Sequence, residues 1–286
     1  MIDVIWDMET GDPDDFLTLL LLMGHPEVNL KAVTITPGSP QQIGLVRKAL
    51  ALFNIDIPVG AHHKEHPKPC VSKWHTDVYG DIPTSQDAEN GGEVLRRYCD
   101  SNTTLITGGP LKNLGAAIKL NFQVDRWIAQ GGFAGEGVVP SELQLDKFKG
   151  MTTCPTYNLN GDSKSALAAL SYEAIRVKRF VSKNVCHRVY YDRKMHDIFQ
   201  SFKHKSLSLA LIWKGMDAYL RHHPDGKKLH DPLAACCAID ESIATWAEVE
   251  IYREKGQWGA RLSPGSGTWI IIDYNPEKFI STLTAY

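Results

Sequence analysis

Residues 4–23 read Val-Ile-Trp-Asp-Met-Glu-Thr-Gly-Asp-Pro-Asp-Asp-Phe-Leu-Thr-Leu-Leu-Leu-Leu-Met: an apolar strand-like start, an acidic turn, then an apolar run of helical length. The same grammar repeats outward from this stretch. Residues 30–36 read as a second strand followed by a helix over 41–53, and 57–59 as a short third strand. Residues 103–107 run into Gly108-Gly109-Pro110 and a helix over 111–119, and 126–130 meet Gly131-Gly132 in the same way. Strands alternating with helices predict an α/β fold: an open, mainly parallel sheet flanked by helices on both faces. In such sheets the ligand site lies beyond the carboxyl ends of the strands, which is where the acidic turn falls.

Further along, the pattern predicts a helix over 163–170, a strand near 179–181, a long helical region reaching 219 and another helix over 231–247. An apolar run at 268–272 and a closing helix from Pro276 complete the chain. No repeat or linker interrupts it, so residues 1–286 are expected to form one domain. Segments 62–90 and 222–229, rich in His, Pro, Asp and Gly, read as mobile loops.

With 43% hydrophobic and 22% charged residues the chain has the balance of an ordinary globular protein able to bury a core. Lys plus Arg number 31 against 33 for Asp plus Glu, without long runs of one sign, which argues against nucleic acid or an anionic membrane as partner. No apolar stretch approaches the ~20 residues that span a bilayer, and the first residues carry acids where a signal peptide carries a basic flank. The expectation is a cytoplasmic protein with a small-molecule partner, its assembly into a dimer or tetramer left open. Cys70, Cys99, Cys154, Cys186, Cys236 and Cys237 show no CxxC and no zinc-like spacing, and read as reduced thiols.

The chemistry is concentrated in Asp7, Glu9, Asp12, Asp14 and Asp15. Carboxylates packed this closely repel, and they call for a bound cation or for some of them to stay protonated. Helix capping and the helix dipole account for one or two of these acids, but not for Asp7 and Glu9 at a strand end. An oxygen-only ligand set selects Ca²⁺ or Mg²⁺, and a crowded carboxylate site suits Ca²⁺ better. A distant acid, Asp231 in His230-Asp231-Pro232, reads alone as an N-cap with proline at the first helical position. Beside the first cluster it becomes a candidate ligand from another part of the chain.

Taken together, these residues resemble the inosine-uridine nucleoside hydrolase family. Its signature is an Asp-x-Asp, a short Pro/Gly turn and an Asp-Asp pair; here Asp7-Met8-Glu9, a turn through Pro13, and Asp14-Asp15 are similar to it, with Glu9 for the second Asp. Matches follow in family order at His25-Pro26-Glu27, at residues 108–114, at Gly131-Gly132, at Tyr157-Asn158 with Asp162, at Val185-Cys186-His187 and at His230-Asp231-Pro232. The resemblance implies Ca²⁺-dependent hydrolysis of the N-glycosidic bond of a ribonucleoside or related ribosyl compound, with an oxocarbenium-like ribose attacked by a water that the ion activates. It implies Glu9, Asp15, Asp231 and the carbonyl of Gly108 (Thr107 if the register is one off) as metal ligands, with Asp7 supporting them from beneath. Asp14 and Asn158 match the partners of ribose hydroxyls, Glu9 the general base and His230 the group facing the departing base. His75, with Tyr79, is similar to the family's loop histidine that closes over the base.

The chain also departs from the pattern. Ser39 stands where the family has Asn, and Thr156 where it has the Glu that holds the 5′-hydroxyl. The longer segment 140–155 brings Lys147 and Lys149, which either sit in solvent while Thr156 packs or help accept a 5′-phosphorylated ribosyl compound. Two other readings stand beside the first. One is a non-catalytic ribosyl-binding relative on the same scaffold. The other is a Mg²⁺-dependent phosphohydrolase similar to haloacid dehalogenases, with Asp7 as nucleophile.

Overall fold

A computed structural model describes residues 1–286. Its strands are β1 (Ile2–Met8), β2 (Val28–Ile35), β3 (Val59–Ala61), β4 (Glu89–Asn90), β5 (Thr103–Thr107), β6 (Val124–Gln130), β7 (Thr153–Cys154), β8 (Ile175–Val181), β9 (Tyr190–Tyr191), β10 (Lys227–Lys228), β11 (Ala244–Glu254), β12 (Gln257–Leu262) and β13 (Thr268–Tyr274). Eleven of them form one sheet in the order β4-β3-β2-β1-β5-β6-β8-β13-β11-β12-β7, while β9 and β10 pair separately. From β4 through β13 every neighbouring pair is parallel; β11, β12 and β7 extend the edge in antiparallel fashion.

The chain leaves β1 toward β2, β3 and β4, then returns to the other side of β1 as β5. That reversal opens a crevice between the ends of β1 and β5, the place where α/β sheets bind ligands. β1 is buried on both faces, as a central parallel strand must be. Val4, Trp6 and Met8 enter one hydrophobic cluster, whereas Ile5 joins Leu105 and Trp127 in the other. Helix Pro13–Gly24 is buried from Pro13 through Leu22. Being apolar all round, it is an interior helix, packed against helices Leu207–His222 and His230–Ile239. Ser208 Oγ donates to the Leu20 carbonyl at 2.7 Å across the first of these contacts.

Several sequence expectations are corrected. The helix expected over 231–247 is His230–Ile239 followed by the start of β11, and the β11–β12 hairpin was not foreseen. The long helical region before 219 is three helices, Lys183–Cys186, Arg193–Phe202 and Leu207–His222, separated around β9. Segment 62–90 is not a bare loop but carries helix Lys73–Tyr79, and 222–229 contains β10. All six cysteines are free thiols.

Candidate active site

The crevice is a cleft of about 380 Å³ lined by Glu9, Asp12, Asp14 and Asp15 from the turn after β1, Gly108 after β5, Gln130 at the end of β6, Tyr157 and Asn158 from helix Tyr157–Gly161, and His230 and Asp231. The turn puts Pro13 in the first helical turn, so Asp14 and Asp15 sit in the positive end of a buried helix. His230 and Asp231 begin a second helix, and Asp14 Oδ2 receives their backbone N–H groups at 3.0 and 3.4 Å. A carboxylate from one helix start thereby caps another, which draws Asp231 beside Asp14 and Asp15. Ligand atoms of these three carboxylates all lie within 4.8 Å of one another, and all three residues are buried.

The electrostatics follow from that crowding. Burial, then the charges of Asp231 and Glu9, hold the Asp15 carboxyl well above the usual range; burial and Asp14 do the same to Asp231. Burial, with Asp14 and Asp12, pushes Glu9 up to about 7. Asp14 alone goes down: burial opposes its charge, but the ammonium of Lys227, with the Asp231 backbone N–H, outweighs it. Lys227 Nζ lies 3.1 Å from Asp14 Oδ1 and 3.0 Å from Asp12 Oδ1. Asp15 Oδ1 accepts the Glu9 N–H at 3.0 Å, while Asp231 Oδ1 is buried with no partner. An orphaned carboxylate oxygen among raised neighbours is the condition a hard divalent cation relieves, so the residues present fit such an ion.

The expected residues divide into those in the cleft and those outside it. Glu9, Asp14, Asp15, Gly108, Asn158, His230 and Asp231 come together. The Gly108 carbonyl accepts from Asn158 Nδ2 at 2.9 Å and keeps a second lone pair. Asp7 is sealed below the cleft, its Oδ1 accepting from Thr34 Oγ1 at 2.6 Å and Asn113 Nδ2 at 2.8 Å. It braces β2 and helix Lys112–Ile118 against β1, and it is neither a cleft ligand nor an accessible nucleophile.

Ser39 is corrected to a structural role: it caps helix Pro40–Leu52 in a reciprocal box with Gln42, and its hydroxyl donates to the Pro69 carbonyl. His75 stands on a helix, not in the bare loop expected of it. It is buried on helix Lys73–Tyr79, edge-on to Phe16 at 5.4 Å and Trp74 at 4.9 Å, because an apolar helix face needs cover. Tyr79 is turned inward too, donating to the Leu211 carbonyl at 3.1 Å. The Thr156 hydroxyl is buried without a partner and does not line the cleft. Lys147 Nζ sits 2.8 Å from His187 Nδ1, and Lys149 pairs with Asp146 at the surface. Lys227, Gln130 and the Tyr157 hydroxyl, which lies 3.5 Å from Glu9 Oε2, are not among the expected site residues, although Tyr157 falls in one of the matched motifs. Lys227 has one available signal, its position three residues before His230.

The sequence profile described as inosine-uridine preferring nucleoside hydrolase matches residues 4–281. The chain belongs to this family. Among curated relatives of this nucleoside hydrolase family member, the pyrimidine-specific ribonucleoside hydrolase RihA of Shewanella sp. strain MR-7 is 29% identical over 155 residues, 47% of this chain and 48% of that protein. The chain thus spans about half the length of such bacterial relatives. A probable uridine nucleosidase 2 of Arabidopsis thaliana is 25% identical over 273 residues, 86% of this chain and 80% of that one. Among solved structures, the plant nucleoside hydrolase PpNRh1 superposes with a TM-score of 0.73 at 19% identity, covering 99% of this chain and 98% of its own. An inosine-guanosine nucleoside hydrolase gives 0.73 at 17% with the same coverage. At those identities the likeness is one of fold.

Proposed function

We propose that the protein is a Ca²⁺-dependent N-ribohydrolase that splits the bond between ribose and base in a ribonucleoside. The observation that carries this reading is the unpartnered Oδ1 of buried Asp231, turned into a cluster with Asp14 and Asp15 at the switch point of the sheet. Asp15 and Asp231, with Glu9 and the Gly108 carbonyl, are the residues that would hold the ion, and a crowded carboxylate set with a carbonyl favours Ca²⁺ over Mg²⁺. When bound, the ion supplies charge neutralisation and Lewis-acid activation of water.

The chain's own groups divide the remaining work. Glu9 sits in the cleft with the Tyr157 hydroxyl near its Oε2, where it takes the proton from the water that attacks the anomeric carbon. Asp14 and Asn158 line the same wall and hold ribose hydroxyls. As the glycosidic bond breaks, its electron pair goes to the base nitrogen, which His230 stabilises. The His230 Nε2 is buried and unpartnered, and burial pushes its imidazole down to about 4, so at neutral pH the ring is uncharged and serves as a hydrogen-bonding partner. The names of the relatives make uridine the first substrate to assay. The test is release of base and reducing sugar from uridine and inosine by protein stripped with chelator and then reloaded with Ca²⁺ or Mg²⁺. Turnover that appears only with the ion supports the reading; no turnover with any ion overturns it in favour of a binding role.

A further inference from the structure

The acidic cluster contains a cation of its own. Lys227 is 6% exposed, and its ammonium has three acceptors: Asp12 Oδ1 at 3.0 Å, Asp14 Oδ1 at 3.1 Å and the Lys228 carbonyl at 3.0 Å. An ammonium has three N–H donors, so this one is fully used. The strand pairing of Lys227 with Tyr191 fixes its backbone, so the amine is delivered by the fold rather than by a flexible surface stem. The carboxylates divide into two sets. Asp12 and Asp14 share Lys227, whereas Asp15 and Asp231 have no cation and Asp231 Oδ1 has no partner at all.

We propose that Lys227 is a resident cation that fills the Asp12–Asp14 half of the cluster, so that the cleft accepts a single divalent ion on the Asp15–Asp231 side. Two consequences follow from Coulomb's law. Lys227 Nζ lies 3.1 Å from Asp14 Oδ1, and a ligand atom of that carboxylate lies within 4.8 Å of those of Asp15 and Asp231, so the fixed positive charge would repel an ion held by that pair while it keeps Asp14 oriented. Without Lys227, Asp12 and Asp14 form a second vacant carboxylate pair that attracts a second ion. Lys227 is thus a positioning residue for Asp14 and a limit on ion stoichiometry at once. The inference rests on the divalent-ion reading of the cleft.

The experiment is calorimetric titration of Ca²⁺ into chelator-stripped protein, compared for wild type, Lys227→Met and Lys227→Arg. Wild type and Lys227→Arg are expected to bind one ion; Lys227→Met is expected to bind two, the first about tenfold or more tightly than wild type does, with a lower kcat. A purely structural lysine would lower affinity and turnover together. One ion in Lys227→Met at unchanged or weaker affinity overturns the proposal, as do two ions in wild type. No ion in wild type but one in Lys227→Met overturns the proposal, since the cleft with its lysine then accepts none; no ion in either protein overturns the divalent-ion reading as well. Should Lys227→Met fail to fold, Asp12→Asn decides. One ion bound there supports the assignment of Asp12 to Lys227, and loss of the ion overturns it.

Discussion

His187 and His230 stack face to face, their ring centroids 5.0 Å apart and their planes 13° from parallel. Lys147 donates to His187 Nδ1 at 2.8 Å, and Phe148 closes on the same ring edge-on at 5.6 Å. The stack therefore fixes the orientation of His230 from behind, leaving its buried Nε2 without a protein partner.

Replacing His230 by alanine is expected to slow hydrolysis by ~10² to 10³-fold, the cost of removing one hydrogen-bond donor aimed at developing charge. The loss should depend on the base, being smallest for an activated nitrophenyl leaving group that departs unaided. Steady-state kinetics on uridine, inosine and a nitrophenyl riboside check this; equal losses on all three would exclude a leaving-group role.

For Asp231→Asn the two forms of the protein should respond in opposite ways. The substitution removes like-charge repulsion against Asp15 and Glu9, so the ion-free protein should melt no lower than wild type. It should also lose the rise in Tm that Ca²⁺ gives, together with turnover. Thermal melts with chelator and with Ca²⁺ read both effects.

The Ca²⁺-induced rise in Tm should itself grow from about pH 5.5 to about pH 8. Glu9 in the ion-free fold titrates near 7, above the ~4.3 of an unfolded chain. Such a raised group contributes stability below its unfolded value and loses it as pH climbs through the folded one. The ion must displace those protons, so its advantage increases with pH. Buried imidazoles such as His75, pushed down to about 4, act in the reverse sense but in both forms, which is why the difference between loaded and stripped protein is the quantity to measure. A rise in Tm that is flat across this range would mean that the ion does not compete with protons at these carboxylates.

Gly108→Ala should damage fold and site together. A Cβ there would lie 2.2 Å from Trp6 Cη2 and 2.7 Å from Asp231 Oδ1, so either the buried indole or the carboxylate must move. A loss of ~1–3 kcal/mol, as for other overpacked interiors, should appear in urea unfolding, with weaker Ca²⁺ binding.

Much of this was legible in the residues, and the limits have physical causes. The strand-turn-helix order and the acids after β1 could be read because alternation and charge crowding are local properties of the sequence. Nothing local ties Asp231 to Asp15; it could be read because a crowded acidic turn calls for a carboxylate from elsewhere in the chain, and the resemblance points to the same residue. β11 was missed because its start follows an unbroken apolar helix without a proline or glycine between them. Ser39 and His75 were read as site residues by position, but one is consumed by a helix cap and the other by packing against Phe16. Lys227 went unseen because its partners lie more than two hundred residues upstream in a turn that looks complete by itself.

The two-residue pairing of β9 with β10 sets Lys227 opposite Tyr191, both buried, and Lys228 opposite Tyr190, both further out. Side chains alternate along a strand, so a slip of one residue would exchange the two lysines. Residue type cannot mark that error, since both positions carry the same side chain. What the segment between His187 and His230 has to keep is its length: it can absorb replacements at Tyr190 or Lys228, but a single insertion or deletion would carry the ammonium away from Asp14 and leave the turn after β1 with its full negative charge.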